Sequence, residues 1–198
     1  MNKTTIPPFS QQPVTKPKKI TTFSKRNKNI KVVFWNKGNS DFQSKKDEIE
    51  LIIDKHNPLV MGVLEANISQ NVHLPSVQID GYILEREVPP DDSSRTRTAL
   101  FIKNDVKYIR RYDLEQPQTS MIWLEIYTSA KPWLLFIGYR QFATLNPRTA
   151  KASRDIKKQL ERIKKWEVSW TQAEQEGKPL LILGDMNIDV SPSLYSIC

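Results

Sequence analysis

The chain has 198 residues, of which 38% are hydrophobic and five are tryptophan, which suits one globular domain with an appendage. No apolar run approaches the roughly eighteen residues of a membrane-spanning helix, and the first thirty residues hold no continuous apolar segment, so we expect neither a membrane partner nor secretion. The single cysteine, Cys198, excludes an internal disulfide framework and favours a reducing, intracellular compartment, either nucleus or cytoplasm.

The formal net charge of +8 is concentrated at the amino-terminal end. Residues 1–40 contain nine Lys or Arg and no acidic residue, which leaves 21 basic side chains to face 22 acidic ones over the rest of the chain. Residues 1–29 are rich in proline and polar residues, and they cannot bury enough apolar surface to offset their ordering entropy. We therefore predict a disordered basic leader, followed by one domain over residues 30–198. Such a leader is typical of a solubilising tail or a linker, and also of a tether for nucleic-acid phosphates.

The first predicted elements form a strand, a helix and a second strand. Residues 31–35 are β-branched and aromatic and predict a strand that ends at Asn36. An amphipathic helix is predicted over residues 44–56, and a buried strand over residues 59–64 ends at Glu65. Because these elements span only about 35 residues, they indicate a βαβ unit whose two strands pair in parallel.

The middle of the chain has a different pattern. Residues 89–94 form a polar loop, and strands are then predicted over residues 98–103, 121–127 and 133–139. Their short connections favour antiparallel pairing. A long helix is predicted over residues 150–176, with apolar residues along one face and a terminating glycine and proline beyond it.

Residues 180–189, Leu-Leu-Ile-Leu-Gly-Asp-Met-Asn-Ile-Asp, are the most informative stretch. The apolar run predicts a strand buried on both faces, after which Asp185 and Asn187 project to the same side. A Walker B strand is excluded because the chain lacks the G-x-x-x-x-G-K-[ST] loop. A calcium loop is excluded because Val190 and Ser196 stand where it requires glycine and glutamate. An Asx turn, in which Asp185 bonds only its own backbone, stays open as the structural alternative.

Four predicted strands end in polar residues, namely Asn36, Glu65, Tyr139 and Asp185. The crevice beyond the carboxyl ends of strands is where open α/β sheets bind ligands. A carboxylate and an amide oxygen suit Mg²⁺, and a second carboxylate could orient or deprotonate a water for attack on phosphorus. Taken singly, each of these residues is also typical of a turn, a solvated charge or a core aromatic.

Four segments resemble, in order, the motifs of the endonuclease/exonuclease/phosphatase family: residues 34–38, 62–67, 137–140 and 183–189. The resemblance covers about residues 29–190 and implies the DNase-I-like fold, an α/β sandwich of mixed β-sheets flanked by helices. The Tyr-Arg pair and the Gly-Asp-Met-Asn-Ile-Asp sequence are most similar to endonuclease domains of non-LTR retrotransposons, which stand in front of a reverse transcriptase.

The resemblance implies a role for each strand-end residue. Asn36 and Glu65 would hold the divalent metal, Mg²⁺ or Mn²⁺. Asp185 would orient or activate the attacking water, Asn187 would support the phosphate, and Tyr139 would line the site beside the scissile group.

The resemblance also implies a substrate and exposes a departure. Arg97 and Arg140 are the expected substrate-binding residues, and DNA is the expected partner. Family members finish with a Ser-Asp-His type segment, whereas this sequence stops at Cys198 and has no histidine after His73. We therefore expect the C-terminal strands of the fold to be missing, as in a fragment or a decayed copy.

The leading hypothesis is Mg²⁺-dependent phosphodiester hydrolysis by a DNA endonuclease of retrotransposon type, whose activity the missing histidine puts in question. One alternative is a non-catalytic nucleic-acid-binding remnant that acts through the basic leader. Another is a phosphatase of the same fold that acts on small substrates. The sequence sets neither the target site nor the oligomeric state.

Overall fold

A computed structural model describes residues 30–87, 95–129, 131–140 and 150–187. The predicted leader, the polar loop at residues 89–94 and Cys198 lie outside these residues, so the statements about them stay predictions. No helix in the described ranges is both long and apolar enough to cross a membrane.

The first sheet contains four strands in the order β1-β2-β4-β3. Their bounds are β1 (Val32–Asn36), β2 (Val60–Ser69), β3 (Tyr82–Arg86) and β4 (Arg95–Lys103). A short 3-10 turn (Gln43–Lys45) and helix α1 (Lys46–His56) connect β1 to β2, and a single helical turn, α2 (Leu74–Val77), precedes β3. Strands β1 and β2 pair in parallel, with Asn36 opposite Leu64, which confirms the predicted βαβ unit.

The second sheet contains four strands in the order β5-β6-β7-β8. Their bounds are β5 (Lys107–Arg110), β6 (Ser120–Tyr127), β7 (Trp133–Tyr139) and β8 (Leu180–Asp185). Helix α3 (Ala150–Gln175) leads into β8, which pairs in parallel with β7, whereas β6 and β7 pair antiparallel as predicted.

Strand β4 lies in a different sheet from the one the sequence predicted. We expected it to pair with the strands at residues 121–127 and 133–139, but it pairs with β2 and β3. Alternate residues of β4 pack on opposite sides: Ala99 and Phe101 face the layer of α1, while Leu100 and Ile102 face the second sheet. Because both faces of β4 are apolar, the strand is stable at the centre of the first sheet with a layer on each side.

The two sheets pack face to face, and a helix covers each outer face. The inter-sheet core unites apolar residues of both sheets, including Leu64, Leu100, Ile122, Leu135 and Ile137. Helix α1 packs on the first sheet through Ile49 and Ile53, and α3 packs on the second through Trp166 and Ala173. The molecule is therefore the predicted α/β sandwich of mixed sheets flanked by helices.

The prediction that β8 is buried on both faces is wrong. Leu181 and Leu183 pack into the inter-sheet core, whereas Leu180 and Ile182 are 36% and 38% exposed. Within the described residues β8 pairs only with β7 and is therefore an edge strand, with one face in the core and the other partly exposed.

Strand β2 continues beyond its predicted end. We expected it to stop before Glu65, but it runs to Ser69, and its pairing with β4 shifts register between Leu64 and Ile68. Glu65 and Asn67 both have φ of 51°, the left-handed conformation. Such a bulge bends the strand and re-aims its side chains, and Glu65 is thus displayed within an irregular segment.

The two sheets approach each other closely at Gly62 of β2. A Cβ atom at this position would lie 2.4 Å from Cδ1 of Ile137 on β7. Gly62 stands two residues before Leu64, where the bulge of β2 begins, and Ile137 stands two before Tyr139, the last residue of β7. The missing side chain at Gly62 thus leaves room for the side chain of Ile137 just below the bulge of β2.

We expect Gly62→Ala to destabilise the fold by about 1–3 kcal/mol because it overpacks the inter-sheet core. Ile137→Val alone should cost about 0.5–1.5 kcal/mol. In the double variant the two costs should be less than additive, because valine lacks the Cδ1 atom that the new methyl group meets. Urea denaturation of the four proteins measures this coupling, and strictly additive costs would contradict the close approach.

Candidate active site

Polar residues replace apolar ones at one end of the inter-sheet core. Every second residue of each strand points into this core, and at this end the last such position is polar in strands of both sheets. These positions are Asn36 after Phe34, Thr98 before Leu100, Ser120 before Ile122, Tyr139 after Ile137 and Asp185 after Leu183. These five polar side chains cover one end of the apolar inter-sheet core, and we call them the polar floor.

A hydrogen bond joins the two sheets at this floor. The Nδ2 of Asn36 on β1 donates to Oδ2 of Asp185 on β8 over 2.8 Å, across 149 residues of sequence. The backbone N–H of Asn187 donates to the other carboxylate oxygen of Asp185 over 3.1 Å, which is the Asx turn that the sequence left open. The Asx turn and the contact between the sheets are both present. The turn uses Oδ1 of Asp185, and the contact with Asn36 uses Oδ2.

Glu65, Tyr139 and Asp185 lie at the same end of the molecule. Burial raises the pKa of the Tyr139 phenol above its ordinary value, and the negative charges of Glu65 and Asp185 raise it further because they disfavour the phenolate. The positive charge of Arg97 acts in the opposite direction. One phenol thus experiences charges from the bulge of β2, from β4 and from β8.

Left-handed backbone is concentrated around this site. Among the described residues, five that are not glycine have positive φ, and three of them are Glu65, Asn67 and Asn187. Such a conformation costs on the order of 1–2 kcal/mol for a residue with a side chain, somewhat less for asparagine. The surrounding packing holds these residues in place against that cost.

Two cations accompany the two carboxylates. Lys37 is 8% exposed, its Nζ donates to the carbonyl of Ser40, and burial lowers its pKa to about 8 against the attraction of nearby acids. The Nη1 of Arg97 donates to Oδ1 of Asn67 on the bulge. The sequence reading passed over Lys37 because a lysine in a turn is ordinarily solvated, and only its position directly after Asn36 could have indicated it.

Glu87 is a buried acid beneath Arg97. It is 3% exposed, and its Oε1 accepts the backbone N–H of Arg97 over 2.5 Å. Burial raises its pKa to about 7, and the hydrogen bond from Arg97 opposes this shift without cancelling it. No sequence pattern indicated this residue, because its burial results from the packing of the two sheets.

Arg140, predicted to bind substrate, is turned towards the chain itself. It is 9% exposed, its Nε donates to the carbonyl of Met186, and its Nη2 donates to the carbonyl of Asn187. Its Nη1 donates to Oε1 of Gln159 on α3 over 2.8 Å. Its backbone N–H donates to the carbonyl of Asp185 over 2.9 Å, and its carbonyl accepts Nδ2 of Asn187 over 2.6 Å.

The predicted metal ligands have the chemistry that a hard divalent ion requires. Among the described residues no three His, Cys, Asp or Glu side chains form a metal-binding group. The Oδ1 of Asn36 accepts one hydrogen bond, from the N–H of Gly38 over 3.0 Å, and keeps a second lone pair. No residue in the described ranges donates a hydrogen bond to the Glu65 carboxylate. One amide oxygen and one carboxylate, with water completing the shell, fit Mg²⁺.

A cavity of about 180 Å³ adjoins the site on the side of the bulge. Its polar lining includes Asp41, Asn67 and Arg95, and its apolar lining includes Val72 and Val77. Because Phe42, Ile68 and Val77 of its lining belong to the core between the first sheet and α1, the cavity lies on that side of the sheet, and Asn67, which contacts Arg97, is the residue it shares with the site.

No family model and no curated protein matches the chain. Solved structures do match its fold. They include the endonuclease domain of TRAS1, a telomere-specific non-LTR retrotransposon, at 15% identity and a TM-score of 0.52, over 81% of this chain and 60% of that one. Humanized D. rerio TDP2 matches at 13% identity and a TM-score of 0.55, over 81% of this chain and 63% of that one.

The catalytic domain of Xenopus laevis APE2 also matches, at 13% identity and a TM-score of 0.52, over 82% of this chain and 60% of that one. These neighbours are DNase-I-like members of the endonuclease/exonuclease/phosphatase group, and the predicted DNase-I-like fold is confirmed. The chain spans 60% to 63% of the length of the three neighbours.

The buried acid predicts a pH dependence of stability. The pKa of Glu87 is about 7 in the fold against an ordinary value of 4.5, so the contribution of this carboxyl to the stability of the protein is fully present below pH 4.5 and is lost as the pH rises through 7. We expect Glu87→Gln, which cannot ionise, to gain stability relative to the parent chain between pH 5 and pH 8. Denaturant midpoints at both pH values measure the gain, with exposed Glu174→Gln as control, and an equal effect at both would contradict the prediction.

Proposed function

We propose that the chain forms the active site of a metal-dependent phosphodiesterase that cleaves DNA, of the retrotransposon endonuclease type. The observation that carries this proposal is the Asn36–Asp185 hydrogen bond, which joins an amide on β1 to a carboxylate on β8. Glu65 and Tyr139 lie at the same end of the molecule, beside this pair. One structural neighbour is itself the endonuclease domain of a non-LTR retrotransposon, which supports the choice of DNA as substrate.

Asn36 and Glu65 are the proposed metal ligands. When bound there, a divalent ion, Mg²⁺ or Mn²⁺, supplies positive charge to the phosphate oxygens of the substrate. The contact from Asn36 to Asp185 ties the amide plane of the ligand to the catalytic carboxylate. The hydrogen bonds from Gly38 to Oδ1 and from Nδ2 to Asp185 hold the amide of Asn36 in one orientation, and the second lone pair of Oδ1 would be the donor to the metal.

Asp185 is the proposed group that orients the attacking water and accepts its proton. Its two oxygens accept one hydrogen bond each, from Asn36 and from the backbone of Asn187, and each keeps a lone pair for the water. Held from both sides, the carboxylate cannot rotate freely, so less entropy is lost when the water is positioned.

The remaining polar groups are proposed to bind the phosphate. Arg97 and Lys37 supply positive charge on the side of Glu65, and the Tyr139 phenol, whose pKa is raised, stays protonated and able to donate a hydrogen bond. Asn187 uses one N–H for the carbonyl of Arg140 and has a second for a phosphate oxygen.

A second candidate function rests on the charge distribution of the sequence. Nine basic residues and no acid in residues 1–40 favour a non-catalytic nucleic-acid-binding protein. It predicts DNA binding with Kd of roughly 10⁻⁴–10⁻⁶ M that weakens steeply with salt and is lost when residues 1–29 are deleted. Nicking that survives this deletion would instead support the enzyme.

The first test of the enzyme is the removal of the proposed base. We expect Asp185→Asn to reduce Mg²⁺-dependent nicking of supercoiled plasmid by about 10²–10⁴-fold, because the amide keeps the shape of the carboxylate but cannot accept the proton. Asp54→Asn, an exposed acid on α1, is the control and should nick as the parent chain does. Undiminished nicking by Asp185→Asn would remove this residue from the mechanism.

The second test addresses the metal. We expect Glu65→Gln to raise the Mg²⁺ concentration that gives half-maximal nicking by at least about tenfold, because the metal loses its charged ligand. Plasmid nicking titrated with MgCl₂ measures the shift, and circular dichroism verifies that the fold is retained. An unchanged Mg²⁺ requirement would place the metal elsewhere.

A further inference from the structure

The turn that follows β8 depends on one buried side chain. Pairing between β7 and β8 ends at Tyr139 and Asp185, so the backbone of Met186 and Asn187 has no strand partner beyond that point. The guanidinium of Arg140 donates hydrogen bonds to the carbonyls of both residues and so replaces the missing strand partner.

Arg140 holds this turn from three directions. Its backbone N–H and carbonyl engage Asp185 and Asn187, its Nε and Nη2 reach the two turn carbonyls, and its Nη1 is anchored to Gln159 on α3. The planar guanidinium fork reaches two carbonyls at once, which a lysine ammonium on a flexible stem cannot reproduce in the same geometry. The turn also holds Asn187 at a φ of 46°, which the guanidinium contact to its carbonyl helps to maintain.

We propose that Arg140 is a positioning residue for Asp185: it fixes the turn of residues 185–187 and, through Gln159, connects the catalytic carboxylate to α3. This inference rests on the proposed function of Asp185. In this role Arg140 acts through Asp185 and does not touch DNA. Contact with DNA would require a guanidinium that faces the solvent.

The two roles predict different kinetics. A positioning residue lowers kcat and leaves KM nearly unchanged, because a displaced base weakens the transition state and not the binding of DNA. A substrate-binding arginine raises KM and, when removed, reduces the dependence of binding on salt by about one phosphate contact.

The experiment compares Arg140→Lys with the parent chain in plasmid nicking at saturating MgCl₂ and in backbone amide hydrogen exchange. We expect kcat to fall about 100-fold, as misplaced catalytic groups commonly cause, with KM within twofold. We expect the amide of Asn187 to exchange at least about tenfold faster, because its Asx turn opens more often. Gln159→Leu, which removes the anchor and leaves the guanidinium in place, should give smaller changes of both kinds.

Arg110→Lys is the matched control. Arg110 is another guanidinium with little exposure, bound to Glu85 and Glu115, and it lies on β5, at the opposite edge of the sheet from β8. This variant should lose stability without a change in kcat or in the exchange of Asn187.

Two results would overturn the positioning role: a raised KM with unchanged kcat in Arg140→Lys, or exchange of Asn187 equal to that of the parent chain. If the parent chain itself does not nick DNA, the proposed function fails, and the exchange measurement alone decides whether Arg140 holds the turn.

Discussion

The site depends on the packing of two sheets whose strands end in register. Each strand places alternate residues in one shared apolar core, so a polar residue at the end of any strand is brought to the same edge as the others. The hydrogen bond from Asn36 to Asp185 can form only when β1 and β8, which belong to different sheets, stop at the same height. Gly62 contributes to this packing, because the side chain of Ile137 occupies the space where a Cβ would be.

One face of helix α3 both packs on the second sheet and contacts Arg140 beside the site. Trp166 and Trp170 both pack edge-on against Phe136 of β7, at ring distances of 5.6 Å, and Phe136 in turn contacts Trp123 of β6. Such aromatic pairs contribute about 0.5–1.5 kcal/mol each beyond the burial of their area.

The amino-terminal part of the same helix extends this support to the site. Seven residues before Trp166, two turns of the helix, Gln159 contacts the guanidinium of Arg140. The position of the turn at residues 185–187 is therefore tied to the aromatic layer, although β8 lies at an edge of the sheet within the described residues.

What the sequence could predict is limited to features encoded in neighbouring residues. Apolar runs that end in Asn36, Tyr139 and Asp185 indicated both the strands and the polar rim, since the alternation of a strand is local. The alternation does not state which strand lies beside which, and for that reason β4 was predicted in the wrong sheet. The burial of Glu87 and the inward direction of Arg140 arise only from tertiary packing, which no local pattern contains.

The strain around the site bears on its purpose. Glu65, Asn67 and Asn187 adopt a left-handed backbone that few residues with side chains adopt, at an expected cost on the order of 1–2 kcal/mol each. A chain under selection for stability alone would replace them with glycine or straighten the strand. Here the strained residues carry the proposed metal ligand, the partner of Arg97 and the support of Asp185. The bulge that carries Glu65 and the turn that follows Asp185 are therefore both strained. Such strain is typical of a preorganised site, in which the functional groups are held in position before any ligand binds.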